Sequence, residues 1–145
     1  MKNISILIIF TLFASLINLS NQDITDSPTL MELYNIRQIR KGINDVTPKM
    51  TDNVVVEMRV YDKDDKSKLI MHARENLSQG SKTHPRCIEF ALICMNVMER
   101  IVFDCPADKA FTTGYVNNSR FTEVTANTAY IIDIQVFIIQ RNYIE

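Results

Sequence analysis

The stretch that decides the fold is PRCIEFALICM, residues 85–95 of the chain. Its apolar side chains recur at helical spacing, at Ile88, Ala91, Leu92 and Met95. Positions i, i+3, i+4 and i+7 share one face of a helix. A proline suits the first helical turn, because its missing N–H would have no partner there. The sequence therefore predicts one short amphipathic helix that begins near Pro85.

The segments on both sides of this helix follow the two-residue period of β-strands. Residues 54–61 alternate, with one wholly apolar face, and the charged run at residues 62–66 predicts a solvated hairpin turn. Residues 130–139 are rich in Ile and Val without Gly or Pro, which favours a central strand because β-branched side chains suit a pleated sheet. The other predicted strands are residues 68–71, residues 99–105 and, more weakly, residues 33–40.

Composition adds the size and class of the molecule. A length of 145 residues corresponds to one domain, and 46% hydrophobic residues are too many for a disordered chain. The net charge of −1 gives no field that would hold nucleic acid or an anionic membrane. Because strands dominate and one amphipathic helix can cover one face of an antiparallel sheet, the sequence predicts an α+β domain.

The N-terminal segment has the pattern of a secretory signal. Lys2 precedes an apolar run, residues 4–19, which ends at a polar step. The alternative is a membrane anchor, but spanning a bilayer takes about 20 consecutive apolar residues. We expect the chain to be divided into a signal peptide at residues 1–20, a polar leader at 21–30, the folded domain at 31–140 and a tail at 141–145.

A signal peptide would place the mature chain in the secretory pathway without a membrane span. The C-terminal residues NYIE are not a retention signal, so secretion and the lumen of the endoplasmic reticulum both stay open. Asn76 and Asn117 each begin an N-glycosylation tripeptide. If these asparagines carry glycans, we expect them on accessible loops.

The sequence offers little to conventional catalysis. The two histidines, His72 and His84, lie on different segments in no metal-binding spacing, and we expect no metal and no cofactor. Cys87 and Cys94 are about 10 Å apart along the predicted helix, beyond disulfide reach of roughly 7 Å. A bridge from Cys105 to one of them stays open, but three unpaired thiols are the favoured interpretation.

Three segments in the second half resemble FKBP-type immunophilins, a family of peptidyl-prolyl cis-trans isomerases. The segments are IEFALICMNVMER at residues 88–100, CPADKAF at 105–111 and TANTAYIIDIQV at 125–136. They occur in the family's order and spacing, and the similarity extends over residues 31–140. The resemblance implies a five- or six-stranded antiparallel sheet curled around one short helix. It also implies an apolar cleft that binds X–Pro segments.

When the family's cleft residues are carried over one by one, several positions hold a different type of residue in this chain. Ile88 stands where the family has an aromatic floor, Pro85 takes a position that usually donates a backbone N–H, and Phe111 lacks the hydroxyl of the usual Tyr. The full set implied for the substrate-binding cleft is Met58, Leu69, Ile70, His84, Pro85, Ile88, Phe111, Val124 and Ile132.

Two functions follow from the resemblance, and a third does not need it. The first is a weak prolyl isomerase of the secretory pathway that acts on proline-containing polypeptides, most simply as a monomer. The second is a non-catalytic FKBP-like module that binds a protein partner, since fold does not fix function. The third is a β-rich secreted interaction or structural protein with no relation to this family.

Overall fold

The computed structural model describes residues 34–81, 84–118 and 123–142. The predicted signal peptide and polar leader lie outside these residues. Five strands and two helices follow in the order β1 (Arg37–Arg40), β2 (Asn53–Asp62), β3 (Leu69–Ser78), α1 (Arg86–Ile93), β4 (Arg100–Cys105), α2 (Thr113–Asn118) and β5 (Tyr130–Gln140). A 3₁₀ turn, Ala107–Lys109, lies between β4 and α2. Within the described residues, no helix is long and apolar enough to cross a membrane.

All the strand pairs are antiparallel and form one sheet in the order β1-β4-β5-β2-β3. The longest strand, β5, lies at the centre, as its β-branched sequence predicts. Strand β2 buries every second residue, which confirms the two-residue period of residues 54–61. Strand β3 continues to Ser78, well beyond the predicted residues 68–71.

Helix α1 supplies the other half of the core. Cys87, Ile88, Ala91 and Leu92 are buried on it and join the inward side chains of the sheet in one hydrophobic cluster. Pro85 immediately precedes the helix, and its carbonyl accepts hydrogen bonds from Ile88 N at 3.0 Å and Glu89 N at 3.2 Å. The sequence prediction of an α+β domain with a helix packed on an antiparallel sheet is therefore confirmed.

A disulfide bond ties this helix to the sheet. Cys87 in the first turn of α1 is bonded to Cys105 at the end of β4, with their Cα atoms 5.6 Å apart, while Cys94 is a free thiol. The favoured interpretation of three unpaired thiols was therefore wrong. Burial and the nearby charge of Glu99 raise the pKa of the Cys94 thiol, which reduces its reactivity as a nucleophile.

Candidate functional site

Five of the residues implied for the cleft meet between α1 and the sheet, and we call them the central cluster. They come from five parts of the chain: Met58, Ile88, Phe111, Val124 and Ile132. Their exposed fractions lie between 0% and 2%, so none presents a surface to solvent. The fold brings these side chains together, but as a filled interior, and a ligand would need part of the structure to move before it could touch them.

Phe111 is the aromatic centre of this cluster. Its ring lies 5.0 Å from the ring of Tyr115 and 5.9 Å from that of Tyr130, the second contact being edge-on. Such aromatic pairs each contribute roughly 0.5–1.5 kcal/mol beyond area burial. The Phe111 carbonyl also accepts a hydrogen bond from Asn127 N at 2.8 Å. Phe111 is thus fixed through both its ring and its backbone.

The cover of the central cluster comes from the segment between β4 and β5. Tyr115 and Val116 of α2 are partly buried and pack against the core. Further along, the Tyr130 hydroxyl accepts a hydrogen bond from Thr125 N at 2.7 Å, which holds the chain next to Val124. Residues 113–124 belong to none of the helices or strands predicted from the sequence, and this role of Tyr115 was not predicted. An aromatic residue four positions after Phe111 was the available signal.

Two implied cleft residues lie away from this centre, at the start of β3. Leu69 is 49% exposed and pairs with Tyr61 beside a register shift in the β2–β3 ladder. Ile70 is partly buried and packs on the edge of the core. Leu69 therefore contributes no surface to the central cluster in this conformation.

His84 and Pro85, the last two implied residues, are both buried just before α1. The two ring nitrogens of His84 have no hydrogen-bond partner among the residues that the structure describes, although Nε2 is 3.6 Å from Oε1 of Glu89. Burial lowers the pKa of His84 below its ordinary value, while the Glu89 charge acts in the opposite direction. His84 is therefore a buried imidazole whose neutral form is favoured by burial.

Gln79 contacts the same residue, Glu89, and the sequence did not single it out. Its side chain is buried, its Nε2 donates to the Glu89 carbonyl at 3.0 Å, and its Oε1 has no partner within the described part of the chain. Within the described residues, no group of three His, Cys, Asp or Glu side chains could hold a metal ion. The chemistry available at the central cluster is that of apolar packing next to a few buried polar atoms.

The two glycosylation candidates are exposed, but neither is on a loop. Asn76 lies on β3, the edge strand of the sheet, and Asn117 lies in α2. The sequence expectation placed a glycan-bearing asparagine on a loop, whereas Asn76 lies within β3 and Asn117 within α2.

Comparisons with known proteins agree on the fold of the chain. Neither a protein-family model nor a curated protein sequence matches the chain. Among solved structures, a peptidyl-prolyl cis-trans isomerase from Pseudomonas syringae pv. tomato is similar, with a TM-score of 0.57 and 14% identity, covering 73% of this chain and 74% of that one.

Two plant structures show the same similarity. The three FKBP domains of wheat FKBP73 match with a TM-score of 0.61 and 11% identity, over 74% of this chain and 46% of that one. A multi-domain immunophilin from Arabidopsis thaliana matches with a TM-score of 0.63 and 14% identity, over 76% of this chain and 43% of that one. The FKBP-like fold predicted from the sequence is confirmed.

Proposed function

We propose that this chain is an FKBP-like peptidyl-prolyl cis-trans isomerase domain of the secretory pathway that binds X–Pro segments at the central cluster and isomerises them slowly. The observation that carries the proposal is structural. In an FKBP-like fold, Ile88 of α1, Met58 of β2 and Phe111 meet in one apolar centre. These are positions that the sequence resemblance assigns to the cleft.

The reaction suits a site without acids, bases or metals. Rotating an X–Pro amide means crossing a barrier of roughly 18–20 kcal/mol, because resonance is lost in the twisted state. No bond is broken, so no nucleophile is needed. The twisted amide is less dipolar than the planar one, and an apolar site therefore binds it better than water does. Such differential binding is sufficient for catalysis.

Three features of the site account for slow turnover. Pro85 has no N–H to donate, Phe111 has no hydroxyl, and the central cluster is closed to solvent. Each lost hydrogen bond removes about 1 kcal/mol of transition-state contact. Closure adds a further factor, because apparent affinity falls in proportion to the fraction of molecules that are open.

The compartment is part of the proposal. The apolar leader pattern at residues 4–19 indicates export, and the Cys87–Cys105 disulfide is of the kind that persists in oxidising compartments. Slow proline isomerisation limits folding in such compartments, which would give an isomerase domain a substrate supply.

A second candidate function is a non-catalytic FKBP-like module that binds a protein partner. The exposed fractions of 0–2% across the central cluster favour it, because side chains enclosed this completely act as core. In this case the former cleft would contribute only stability.

An isomerisation assay separates the two candidates. The full chain is incubated with a Leu-Pro peptide, and cis-to-trans conversion is followed by chymotrypsin coupling, with and without a macrolide immunophilin ligand. The first candidate predicts a rate above buffer that is proportional to protein concentration and suppressed by the ligand. A rate equal to that of buffer would remove the enzyme and leave the binding module.

A matched pair of α2 variants tests the cover. Tyr115→Ala removes the ring that packs on Phe111, whereas Asn117→Ala changes an exposed residue of the same helix. We expect Tyr115→Ala to raise the isomerisation rate several-fold through opening, and Asn117→Ala to leave it unchanged. Equal rates for both variants and the parent would show that closure does not limit turnover.

Secretion has its own test. The chain is expressed with its own N-terminus in animal cells, and the medium and the cell lysate are assayed with and without glycosidase treatment. We expect a product shortened by the leader, with a glycosidase-sensitive mass that falls in Asn76→Gln or Asn117→Gln. Retention of the full-length chain in the cytosol would refute the assignment to the secretory pathway.

A further inference from the structure

A small apolar crevice lies beside α1 where the chain enters β1, and we call it the edge crevice. It is a narrow dimple lined by Tyr34, Ile36, Cys87, Phe90, Ala91, Cys94 and Phe103. On α1, Phe90 and Cys94 are four residues apart and share a face, which differs from the core face of Ile88 and Leu92. The mouth of the edge crevice, at Phe90 and Cys94, therefore lies away from Ile88 of the central cluster, whereas its floor, at Cys87, Ala91 and Phe103, belongs to the core.

The crevice has an aromatic rim that is partly open to solvent. The rings of Tyr34 and Phe90 are stacked with their centroids 6.4 Å apart, and Phe90 is 40% exposed. Exposed aromatic surface beside apolar neighbours is typical of a surface that packs against an apolar side chain of a partner.

An open sheet edge begins at the same place. Tyr34 and Ile36 lead directly into β1, which ends the sheet, so no strand of the described residues pairs with its outer side. All four residues of β1 are exposed, including Ile39 at 54%. An exposed strand edge offers backbone N–H and C=O groups that an extended polypeptide can pair with.

Positive charge surrounds both the edge and the crevice. The exposed cations are Arg37, Arg40 and Lys41 along β1 and Arg86 one helical turn before Phe90. None of them forms an ion pair among the residues that the structure describes.

Two carboxylates at β4 already have partners. Glu99, just before β4, is buried and accepts hydrogen bonds from Gln38 Nε2 and Asn96 N, and Asp104 pairs with Lys63 at 2.6 Å. The positive charge of the four cations is therefore not paired with either carboxylate. It favours a ligand that brings negative charge of its own.

We propose that β1 and the edge crevice together bind an acidic extended segment of a partner polypeptide. The segment adds a sixth strand outside β1, packs one apolar side chain against the exposed part of Phe90 at the mouth of the crevice, and sets its carboxylates against the four cations. A polypeptide fits better than a lipid surface, because the free backbone groups of β1 call for a hydrogen-bonding strand. The cations on the edge also discourage pairing between two copies of this chain, since like charges repel.

Fluorescence anisotropy with the full chain tests this surface. The probe is a labelled peptide, Asp-Glu-Val-Phe-Val-Glu-Asp, and the control peptide has Lys in place of every acidic residue. We expect binding of the acidic peptide only, with an affinity that falls as salt is added. Equal binding of the two peptides would overturn the charge argument. Binding to anionic vesicles without binding of the acidic peptide would overturn the choice of partner.

Two charge-reversed variants locate the site. Arg37→Glu with Arg40→Glu removes two cations of β1, and Lys66→Glu with Lys68→Glu makes the same charge change at the β2–β3 turn. We expect at least a tenfold loss of affinity in the first variant, with binding gained for the lysine peptide, and less than a threefold change in the second. Similar losses in both would show that only net charge matters.

Amide hydrogen exchange tests the added strand. The acidic peptide should slow exchange in β1, and a version methylated on alternate amide nitrogens should bind at least tenfold more weakly. Protection at the opposite edge strand, β3, or full affinity of the methylated peptide would contradict pairing with β1. Since the isomerase assay uses a different face of α1, each proposal can fail without the other.

Discussion

The two sides of α1 present opposite kinds of surface. On one side, Ile88 lies in the central cluster, where exposed fractions are 0–2%. On the other side, Phe90 stands at the rim of the edge crevice with 40% of its surface exposed. The central cluster holds residues that the sequence resemblance assigns to the cleft, whereas Phe90 at the rim of the edge crevice is already exposed. The same helix can therefore stabilise the fold with one face and bind with the other.

Apolar side chains have different energetic roles at the central cluster and at the rim of the edge crevice. Enclosed apolar side chains contribute roughly 1.5–3 kcal/mol each through burial, and a ligand that displaces them must compensate that loss. A ligand can contact exposed apolar side chains without displacing other side chains of the protein. A binding function at the central cluster therefore depends on opening, and one at the edge crevice depends on chemical complementarity.

The largest expected difference between the two sides concerns stability. Phe111→Ala should lower the free energy of unfolding by about 3–5 kcal/mol, because it leaves a cavity among packed rings. Phe90→Ala should cost about 1 kcal/mol or less, since its ring is partly exposed. Urea unfolding of the two variants measures this comparison. Similar losses would show that the edge crevice is as much a part of the core as the central cluster.

The disulfide that anchors α1 should have the next largest effect. Replacing Cys87 and Cys105 together by Ser should cost about 3 kcal/mol of unfolding free energy, as expected for a closed loop of this order, 18 residues in sequence separation. Cys94→Ser is the matched control and should cost less than about 1 kcal/mol, because Cys94 is unpaired and only partly buried. A loss under 1 kcal/mol in the double variant would mean that packing alone positions the helix.

The strands and α1 could be predicted because each has a long enough periodic pattern. The alternation of residues 54–61 became β2, and the β-branched run in residues 130–139 became β5. By contrast, α2 is six residues long and contains Gly114 and two Asn residues, so neither periodicity nor propensity marks it. The end of β3 was missed because its exposed side chains are charged and its inward Ala73 is small.

The candidate site was less predictable than the fold. The sequence carries the identity of the cleft residues, but closure arises from the packing of Tyr115 against Phe111, two side chains brought together by α2. The partner of Cys105 was left open for the same reason, since helical spacing excludes only the Cys87–Cys94 pair. The edge crevice was not predicted, because Tyr34 and Phe90 are far apart in the sequence.

The buried residue His84 should make the stability of the folded protein depend on pH. Its folded-state pKa lies below the unfolded value of about 6.5, so the neutral form is favoured in the folded protein. Stability from this residue is fully present above the unfolded pKa. It is lost as the pH falls toward the folded pKa, because the unfolded chain takes up the proton first.

The measurement is urea unfolding between pH 7.5 and 5, with the change amounting to about 1.4 kcal/mol for each unit of pKa depression. His84→Gln should flatten the slope in this range. An unchanged slope in His84→Gln would place the titrating group elsewhere.

The smallest expected effect tests most directly whether an X–Pro segment can still bind at the start of α1. Pro85→Ala restores a backbone N–H just before α1 and leaves the Pro85 carbonyl contacts with Ile88 N and Glu89 N available. It should cost about 0.4–1 kcal/mol of stability through greater freedom of the unfolded chain. One added hydrogen bond of about 1 kcal/mol in the transition state would raise kcat/KM for a Leu-Pro peptide about fivefold.

The control is Pro48→Ala, at a buried proline between β1 and β2. A rise in Pro85→Ala alone would show that X–Pro segments reach the start of α1 and that the missing donor limits turnover. An equal rise in both variants would trace the effect to general loosening. No rise in either would leave closure by Tyr115 as the barrier, and the central cluster would then differ from an isomerase cleft by its cover as well as by its lining.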